Sequence, residues 1–159
     1  MTSQPDSTER LRFLLRVADK EARHLGATTD RLFAAPFTPE RAAALEETPD
    51  VAERVDAFVS RFGRLQDTLG DKLLPTILRA LGEKTSAYID NLDRAERLGL
   101  IPSSDQWLEV RRLRNQMVHE YVEDALILAN ALEAAHRFVP VLRETGKRFA
   151  AEASRRGWL

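Results

Sequence analysis

The sequence predicts an all-α fold, an antiparallel up-and-down bundle of about five or six helices that forms one domain over residues 1–159. Apolar residues recur every three or four positions along most of the chain, which is the helical period. The chain contains no run of alternating β-branched residues bounded by turn signals, the pattern that is typical of strands. Few of the connecting segments are long, which favours antiparallel neighbours.

Capping signals place the first two helices. The first is predicted to begin at an N-cap, Ser7, and to end near Gly26. Thr38 followed by Pro39 is typical of an N-cap with proline at the first helical position. A short second helix is therefore expected from there to about Glu47.

The longest helical pattern runs over residues 51–81 and contains two interruptions, Gly70 and Pro75. A proline inside a helix removes a backbone hydrogen bond and clashes with the preceding turn. We therefore expect a kink or break near residues 72–75.

Three more helices are predicted in the second half of the chain. One covers residues 85–98 and ends at Gly99 as its C′ residue. The next begins at a capping box, Ser103-x-x-Gln106. The last covers residues 124–153, with Pro140 inside it, where proline can bend a helix.

Composition limits the class of protein. Apolar residues make up 43% of the 159 residues and charged residues 31%, and the formal net charge is −1, so the chain as a whole has no bulk attraction for nucleic acid or membrane. The absence of cysteine excludes disulfides, thiol catalysis and cysteine-ligated metal. The opening segment MTSQPDSTER lacks the apolar stretch of a signal peptide, and no apolar run approaches the ~20 residues that span a bilayer. We expect a cytoplasmic protein with no membrane contact.

The octapeptide RNQMVHEY, residues 114–121, concentrates the chemistry of the chain. Arg114 is a permanent cation, Asn115 an amide, His119 an imidazole that titrates near neutral pH, and Tyr121 a phenol. Together these groups can bind a phosphate, move a proton and accept a covalent modification.

Helical spacing divides the side chains of this helix. An apolar arc is predicted from Trp107, Val110, Leu113, Met117 and Val118. A second line of side chains runs beside that arc and consists of Arg111, Asn115 and His119. Arg114 falls inside the arc, so its guanidinium must either extend outward or meet an anion there. Arg112 points to the far side, toward solvent.

The high arginine content determines how readily the motif could arise by chance. Of the 24 basic residues 20 are arginine, so an arginine five positions before a histidine is uninformative alone. Tyr121 makes the pattern informative, since the chain has only two tyrosines. Structural alternatives stay open for each residue: a helix C-cap for His119, an ion pair for Arg114, a surface amide for Asn115 and an interface aromatic for Tyr121.

With these residues the chain resembles the HEPN superfamily of small helical proteins, whose signature is Arg-x-x-x-x-His. The version here, Arg-Asn-x-x-x-His-x-Tyr, is similar to the HepT-type toxin branch. The flanking segments RFGRLQDTLGDKLLPTILRALGE and RAERLGLIPSSDQWLEVRRLRNQMVHEY also resemble that branch. The resemblance covers residues 50–142. It leaves residues 1–49 as an N-terminal helical extension and residues 143–159 as a basic C-terminal helix end.

The resemblance implies a function. Family members are homodimers whose motif helices meet at a cleft, and they cleave RNA without a metal or other cofactor. A partner nucleotidyltransferase antitoxin, which uses ATP and Mg²⁺, silences the toxin by transferring AMP to the motif tyrosine. Carried over by residue, Arg114 and His119 are the catalytic pair, Asn115 supports them, and Tyr121 is the adenylylated residue.

The chemistry of these side chains agrees with such a reaction. His119 can take or give a proton when a 2′-hydroxyl attacks the adjacent phosphate, and Arg114 can stabilise the developing charge. Acid and base roles need two histidines, which a two-fold dimer would supply. Arg111 and Arg112 are candidates for contacts with the RNA backbone.

Two alternative functions remain open. The chain could be a non-catalytic subunit that binds nucleotide or substrate for a nucleotidyltransferase. It could also be a helical adaptor whose octapeptide packs a dimer. Elsewhere, Asp67 and Asp71 are expected to pair with Arg64 or Lys72 on a solvated face, and a metal site is not expected there because it would need more oxygen ligands. Trp158, near the end of the chain, is either a docking anchor or part of a disordered tail.

Overall fold

Every secondary-structure element in residues 7–119 and 123–159, the part of the chain that the computed structural model describes, is helical. The all-α prediction is therefore confirmed, with about six helices when α3 and α4 are counted as one interrupted helix. The elements are α1 (Ser7–Leu32), α2 (Pro39–Ala43), a 3₁₀ turn (Leu45–Glu47), α3 (Pro49–Asp67), a π-helical segment (Thr68–Leu73), α4 (Leu74–Ala80), α5 (Tyr88–Arg97), α6 (Ser104–His119) and α7 (Ala125–Arg155).

Helix α1 is longer than predicted, because it passes through Gly26 and ends at Leu32. Gly26 is buried, and a Cβ built on it would lie 2.9 Å from Nη1 of Arg143 on α7. The glycine gives room for a side chain of the neighbouring helix and does not end its own. Leu25 and Leu32 are fully buried on either side of it, which explains why the helix continues.

The predicted interruption of the third helix is confirmed, and it takes the form of a π-helical segment, Thr68–Leu73. The segment changes the hydrogen-bond register just before Pro75, which lies in the first turn of α4, where its missing N–H is tolerated. Gly70 lies inside the segment, and a Cβ there would be 3.2 Å from the rings of Trp107 and Tyr88. Close packing against two aromatic rings therefore requires glycine at this position.

Two predicted N-caps form. The Thr38 hydroxyl accepts from the backbone N–H of Arg41 at 3.2 Å, and the Ser103 hydroxyl accepts from that of Gln106 at 3.2 Å. Asp124, where the last helix was predicted to begin, is also an N-cap, and its carboxylate accepts from the backbone N–H groups of Leu126 and Ile127 at 3.0 and 3.1 Å. The return half of the capping box is missing, because Oε1 of Gln106 is buried without a hydrogen-bond partner in the described part of the chain.

Helix α5 begins at Tyr88, three residues later than predicted. The segment before it is closed by the Asn91 side chain, which accepts from the N–H of Ser86 at 2.9 Å and donates to its carbonyl at 3.2 Å. The predicted end at Gly99 is correct: its φ is +74°, and the N–H of the next residue bonds back to the carbonyl of Ala95 at 2.8 Å.

A single apolar core joins all the helices. Helix α1 packs against α3, α4 and α7, and α6 packs against α3, α5 and α7. The largest fully buried side chains come from four different segments: Phe37, Phe58, Phe62, Trp107 and Phe149. Residues outside the segment of resemblance therefore share the core with residues inside it.

Helix α7 runs through Pro140 and ends at Arg155. Among the helices of residues 7–119 and 123–159, it alone is long and apolar enough to cross a bilayer by length and composition, a property that core helices share. Its buried side chains pack into the bundle: Leu128, Ala129, Leu132, Ala135, Val139 and Leu142. The absence of membrane contact and the cytoplasmic location stay predictions.

The C-terminal residues dock on the first helix. Trp158 is partly buried against the core, and its carbonyl accepts a 2.6 Å hydrogen bond from Nε of Arg12. The basic side chains of this end are partly neutralised, since Glu152 pairs with both Arg155 and Arg156 at 2.7 Å. Of the two interpretations of Trp158, the docking anchor is the one that its contacts support.

Candidate functional site

Helix α6 presents a narrower apolar face than predicted. Trp107, Val110, Leu113 and Met117 are at most 1% exposed, which confirms four of the five predicted members. Val118 is 51% exposed, so its placement in the buried arc was wrong. It lies at the edge of the arc, beyond the reach of the helices that cover α6.

Arg114 lies across the neighbouring helix α3 and is half-buried. Its Nη2 lies 3.3 Å from Oδ2 of Asp67, and a Cβ built on Gly63 would be 3.2 Å from its Nε. Of the two arrangements expected for Arg114, outward extension or an anion on the packed side, the structure shows the second, an ion pair with Asp67. The expected partners of Asp67, Arg64 and Lys72, were wrong, because the carboxylate turns toward α6 and away from its sequence neighbours.

Arg111 lies one turn before Arg114 and stacks on an aromatic ring. Its guanidinium carbon is 4.5 Å from the centroid of Tyr88, the first residue of α5. The Tyr88 hydroxyl accepts a long 3.5 Å hydrogen bond from Nε2 of the buried Gln66. Burial raises the pKa of Tyr88 above its usual value, so this phenol stays protonated at neutral pH.

Asp71 completes a group of charges that we call the α3–α6 cluster: Asp67, Asp71, Tyr88, Arg111 and Arg114. Desolvation, and to a lesser extent repulsion from Asp67, raise the pKa of Asp71, while Arg111 and Arg114 oppose that shift. Two carboxylates therefore balance two guanidinium groups on this side of α6. Within residues 7–119 and 123–159 no three carboxylate or imidazole side chains converge as a metal site would require.

Asn115 and His119 both point into solvent. Neither side chain has a hydrogen-bond or ion-pair partner among the residues that the structure describes. His119 is the last residue of α6, and Tyr121, the predicted site of adenylylation, lies outside the described residues.

The structure does not bring Arg114 and His119 together within one chain. Five residues of helix separate them by about 7.5 Å along the axis and by about 140° around it. Arg114 faces α3, whereas His119 faces solvent. The two groups therefore lie on different faces of α6 within one chain.

Arg112, the other candidate for RNA contacts, belongs to a different surface. It lies about 160° around the helix from Arg114. Its Nη2 pairs with Oε1 of Glu109 at 2.5 Å, and this hydrogen bond lowers the pKa of Glu109. Of the two candidates for RNA contacts, Arg111 therefore lies beside Arg114, and Arg112 lies on another face of α6.

No protein family, characterised protein or solved structure matches this chain.

Sequence reasoning missed three members of the site: Gly63, Asp67 as the partner of Arg114, and Tyr88. A signal for the first two existed in the segment RFGRLQD, where a glycine inside a helix precedes an acid by one turn on the same face. That combination offers space and charge to a long cation from another helix. The sequence around Tyr88 contains no comparable signal for its stacking on Arg111.

A second polar contact lies on the other side of the π-helical segment. The Thr68 hydroxyl donates to Oε1 of Glu21 on α1 at 2.7 Å, and Oε2 of Glu21 is buried without a hydrogen-bond partner in the described part of the chain. Desolvation raises the pKa of Glu21, although Thr68, Lys72 and Arg64 favour its charged form. Burial therefore disfavours the charged form of the Glu21 carboxylate. Glu21 is not part of the α3–α6 cluster.

A groove of about 560 Å³ lies apart from the cluster, between the start of α6 and α7, and is mainly apolar. Its walls include Leu100, Pro102, Pro140, Val141, Lys147 and Arg148. None of the described motif residues, 114–119, lines it, so its position gives no support to their role.

Proposed function

We propose that this chain is a metal-independent endoribonuclease of the HEPN type and the toxin of a toxin–antitoxin pair. It acts as a cytoplasmic homodimer and is neutralised when a cognate nucleotidyltransferase adenylylates Tyr121. The observation that carries the proposal is the arrangement on α6. This helix exposes Arg111, Asn115 and His119 along one line and holds Arg114 at its edge.

These side chains suit phosphoryl transfer within RNA. The 2′-oxygen forms a bond to phosphorus, and the bond from phosphorus to the 5′-oxygen breaks. His119 of one subunit takes the 2′-hydroxyl proton, and the partner's His119 gives a proton to the leaving 5′-oxygen. Arg114 stabilises the charge on the non-bridging oxygens, and Asn115 orients the phosphate or the imidazole. The products carry a 2′,3′-cyclic phosphate and a 5′-hydroxyl.

The division of Arg114 and His119 between two sides of α6 supports a dimer. A two-fold axis beside the helix would place the exposed histidine of one copy near the arginine of the other. Val118 is 51% exposed and lies between these side chains on the helix surface, so the same pairing would bury it. Burial of the exposed half of this side chain contributes roughly 1 kcal/mol per copy.

Adenylylation would act through size and charge. Tyr121 follows His119 by two residues, so an attached AMP would occupy the space beside the imidazole. Its phosphate would also repel an RNA phosphate at that position.

The test compares wild type with His119→Ala and with His24→Ala, a matched variant of an exposed histidine on α1. Purified proteins are incubated with RNA in EDTA, and the ends of the products are identified by mass spectrometry. Wild type and His24→Ala should cleave and leave cyclic phosphates, while His119→Ala should not. A folded wild-type protein that leaves every RNA intact would refute the nuclease. Binding of RNA or nucleotide without cleavage would favour the non-catalytic subunit of a nucleotidyltransferase.

A second experiment addresses the antitoxin. The chain is co-expressed with the proposed cognate nucleotidyltransferase, and intact masses are recorded for wild type, Tyr121→Phe and Tyr88→Phe. We expect wild type and Tyr88→Phe to gain AMP and Tyr121→Phe to gain none. An unchanged wild-type mass, or equal gains in all three proteins, would remove this part of the proposal.

A further inference from the structure

The Arg114 side chain crosses α3 at its one interior glycine. A Cβ on Gly63 would lie 3.2 Å from Nε, 3.5 Å from Cγ and 4.0 Å from Cδ of Arg114. The aliphatic part of the arginine therefore runs along the backbone of α3, in space that any other residue type would occupy.

The charged end of the same side chain is held one turn further along α3. Asp67 follows Gly63 by four residues, so the two positions share a helix face. Its Oδ2 accepts from Nη2 of Arg114 at 3.3 Å. One face of α3 thus contacts both the stem and the head of a single arginine from α6, which fixes the direction of the guanidinium group.

The ion pair between Arg114 and Asp67 contributes too little to the stability of the fold to explain why the arginine is held in one position. The two side chains are 35% and 37% exposed, and ion pairs of that exposure contribute little to stability. Holding an arginine in one rotamer costs side-chain entropy of similar size. Asp67 also approaches Asp71 closely enough to disfavour the ionised form of that neighbour.

The contact leaves most of the guanidinium free. A guanidinium has five N–H donors, and Asp67 engages Nη2 alone. The other donors stay available to an anion, while the plane of the group is already set. An arrangement of this kind is useful where a phosphate must meet the group in one orientation.

We infer that Asp67 is a positioning residue that acts through Arg114 in RNA cleavage. This inference rests on the proposed function. In this role Asp67 acts without contact to the substrate, and Gly63 supplies the space along which the Arg114 side chain reaches it.

The first measurement separates kcat from KM in Asp67→Asn. The amide keeps the shape of the carboxylate and removes its charge, so the guanidinium becomes mobile. Since a displacement of about 1 Å can cost about 100-fold in rate, we expect kcat to fall between about 10-fold and 100-fold. KM should stay within about threefold of wild type. Asp56→Asn, at an exposed position of the same helix, should leave both constants unchanged.

Chemical rescue tests the contact directly. In Arg114→Ala, guanidinium ion at millimolar concentration should restore part of the cleavage, because Asp67 and the space at Gly63 remain. In the double variant Arg114→Ala, Asp67→Asn the same ion should restore none. A purely structural role of Asp67 would not produce this difference. Equal rescue in the two variants, or a kcat that is unchanged or raised in Asp67→Asn, would overturn the inference.

An NMR measurement tests the positioning of Arg114 independently of RNA cleavage. The Nη–H signal of Arg114 should be slow to exchange in wild type and in Asp56→Asn, and lost in Asp67→Asn, because Nη2 is the donor to Asp67. If wild type cuts no RNA but this pattern is observed, the proposed function fails and the positioning of Arg114 by Asp67 stands. An Nη–H signal that is indifferent to Asp67→Asn overturns the positioning, whatever the activity.

Discussion

Gly63 on α3 leaves room for the Arg114 side chain of α6, because a Cβ at position 63 would lie 3.2 Å from Nε of the arginine, which is tighter than an ordinary contact. A glycine inside a helix costs about 1 kcal/mol relative to alanine. The chain tolerates that cost at a position whose neighbour is the arginine of the motif.

Replacement of Gly63 by alanine should therefore lower the rate of RNA cleavage and change the free energy of unfolding only slightly. The gain in helix propensity and the displacement of Arg114 oppose each other, so the free energy of unfolding should change by less than about 1 kcal/mol. Cleavage should fall at least about tenfold, since the guanidinium must move. Urea denaturation and RNA cleavage rates measure the two effects.

Gly146→Ala is the matched control. It lies inside α7, where the nearest atom to an added Cβ is Cδ2 of Leu69 at 3.6 Å, an ordinary contact. This variant should be more stable than wild type by up to about 1 kcal/mol and should cleave normally. A Gly63→Ala protein as active as Gly146→Ala would show that Arg114 does not depend on the space at Gly63.

Arg111 and Arg112 should differ in their contribution to RNA binding. Arg111 lies beside Arg114 and is held by the ring of Tyr88, whereas Arg112 is paired with Glu109. Arg111→Ala should weaken binding of a non-cleavable 2′-deoxy oligonucleotide and reduce the slope of log K against log salt by about 0.7. Arg112→Ala should change neither. Fluorescence anisotropy at several salt concentrations tests this, and equal effects of the two substitutions would contradict it.

Glu21 should make the protein less stable as the pH rises. Burial raises its pKa above the ordinary value of 4.5, so the folded state binds the proton more tightly than the unfolded state does. The resulting stabilisation is complete below pH 4.5 and is lost as the pH rises through the higher pKa of the folded state. Glu21→Gln has no such charge and keeps an oxygen for the Thr68 hydroxyl, so it should be more stable than wild type at pH 7.

The measurement compares urea denaturation of wild type and Glu21→Gln at pH 4 and pH 7. The advantage of the variant at pH 7 should shrink or vanish at pH 4. Glu53→Gln, an exposed site on α3, should show no such pH-dependent difference. A Glu21→Gln protein that is less stable than wild type at pH 7 would mean that Lys72 and Arg64 outweigh desolvation.

The N-cap of α7 should contribute measurably to stability. Asp124 has an extended backbone and accepts from the N–H groups of Leu126 and Ile127 at 3.0 and 3.1 Å. Asp124→Ala should lower the free energy of unfolding by about 1 kcal/mol, and Asp124→Asn, which keeps an acceptor oxygen, should lose much less. Thermal unfolding of wild type, Asp124→Ala and Asp124→Asn measures these losses of stability. Equal losses in both variants would exclude capping as the cause.

Local signals explain the parts of the fold that the sequence predicts well. The N-caps at Thr38, Ser103 and Asp124 and the C′ glycine at Gly99 depend on neighbours within a few residues. The interruption before Pro75 is local in the same sense. The buried face of α6 follows from the helical period, apart from Val118 at its margin.

Contacts between distant segments explain what the sequence could not predict. Gly26 was taken as the end of α1 because a glycine that ends a helix and one that makes room for a side chain such as Arg143 look alike in sequence. The pairing of Arg114 with Asp67 joins positions 47 apart along the chain. The roles of Asn115 and His119 stay predictions, since neither side chain has a hydrogen-bond or ion-pair partner among the described residues. The role of Tyr121, which lies outside the described residues, also stays a prediction.

The π-helical segment gives one long helix two registers. Gly63 and Asp67 belong to the first register, and Ile77 and Leu78, which are buried in the core, belong to the second. A π-helical turn takes up about one residue more than an α-helical turn, so deletion of one residue between them would let α-helical bonding run straight through and leave the second half in about the same orientation. The segment thus absorbs one extra residue, and a single long helix can direct Gly63 and Asp67 toward Arg114 and also direct Ile77 and Leu78 into the core.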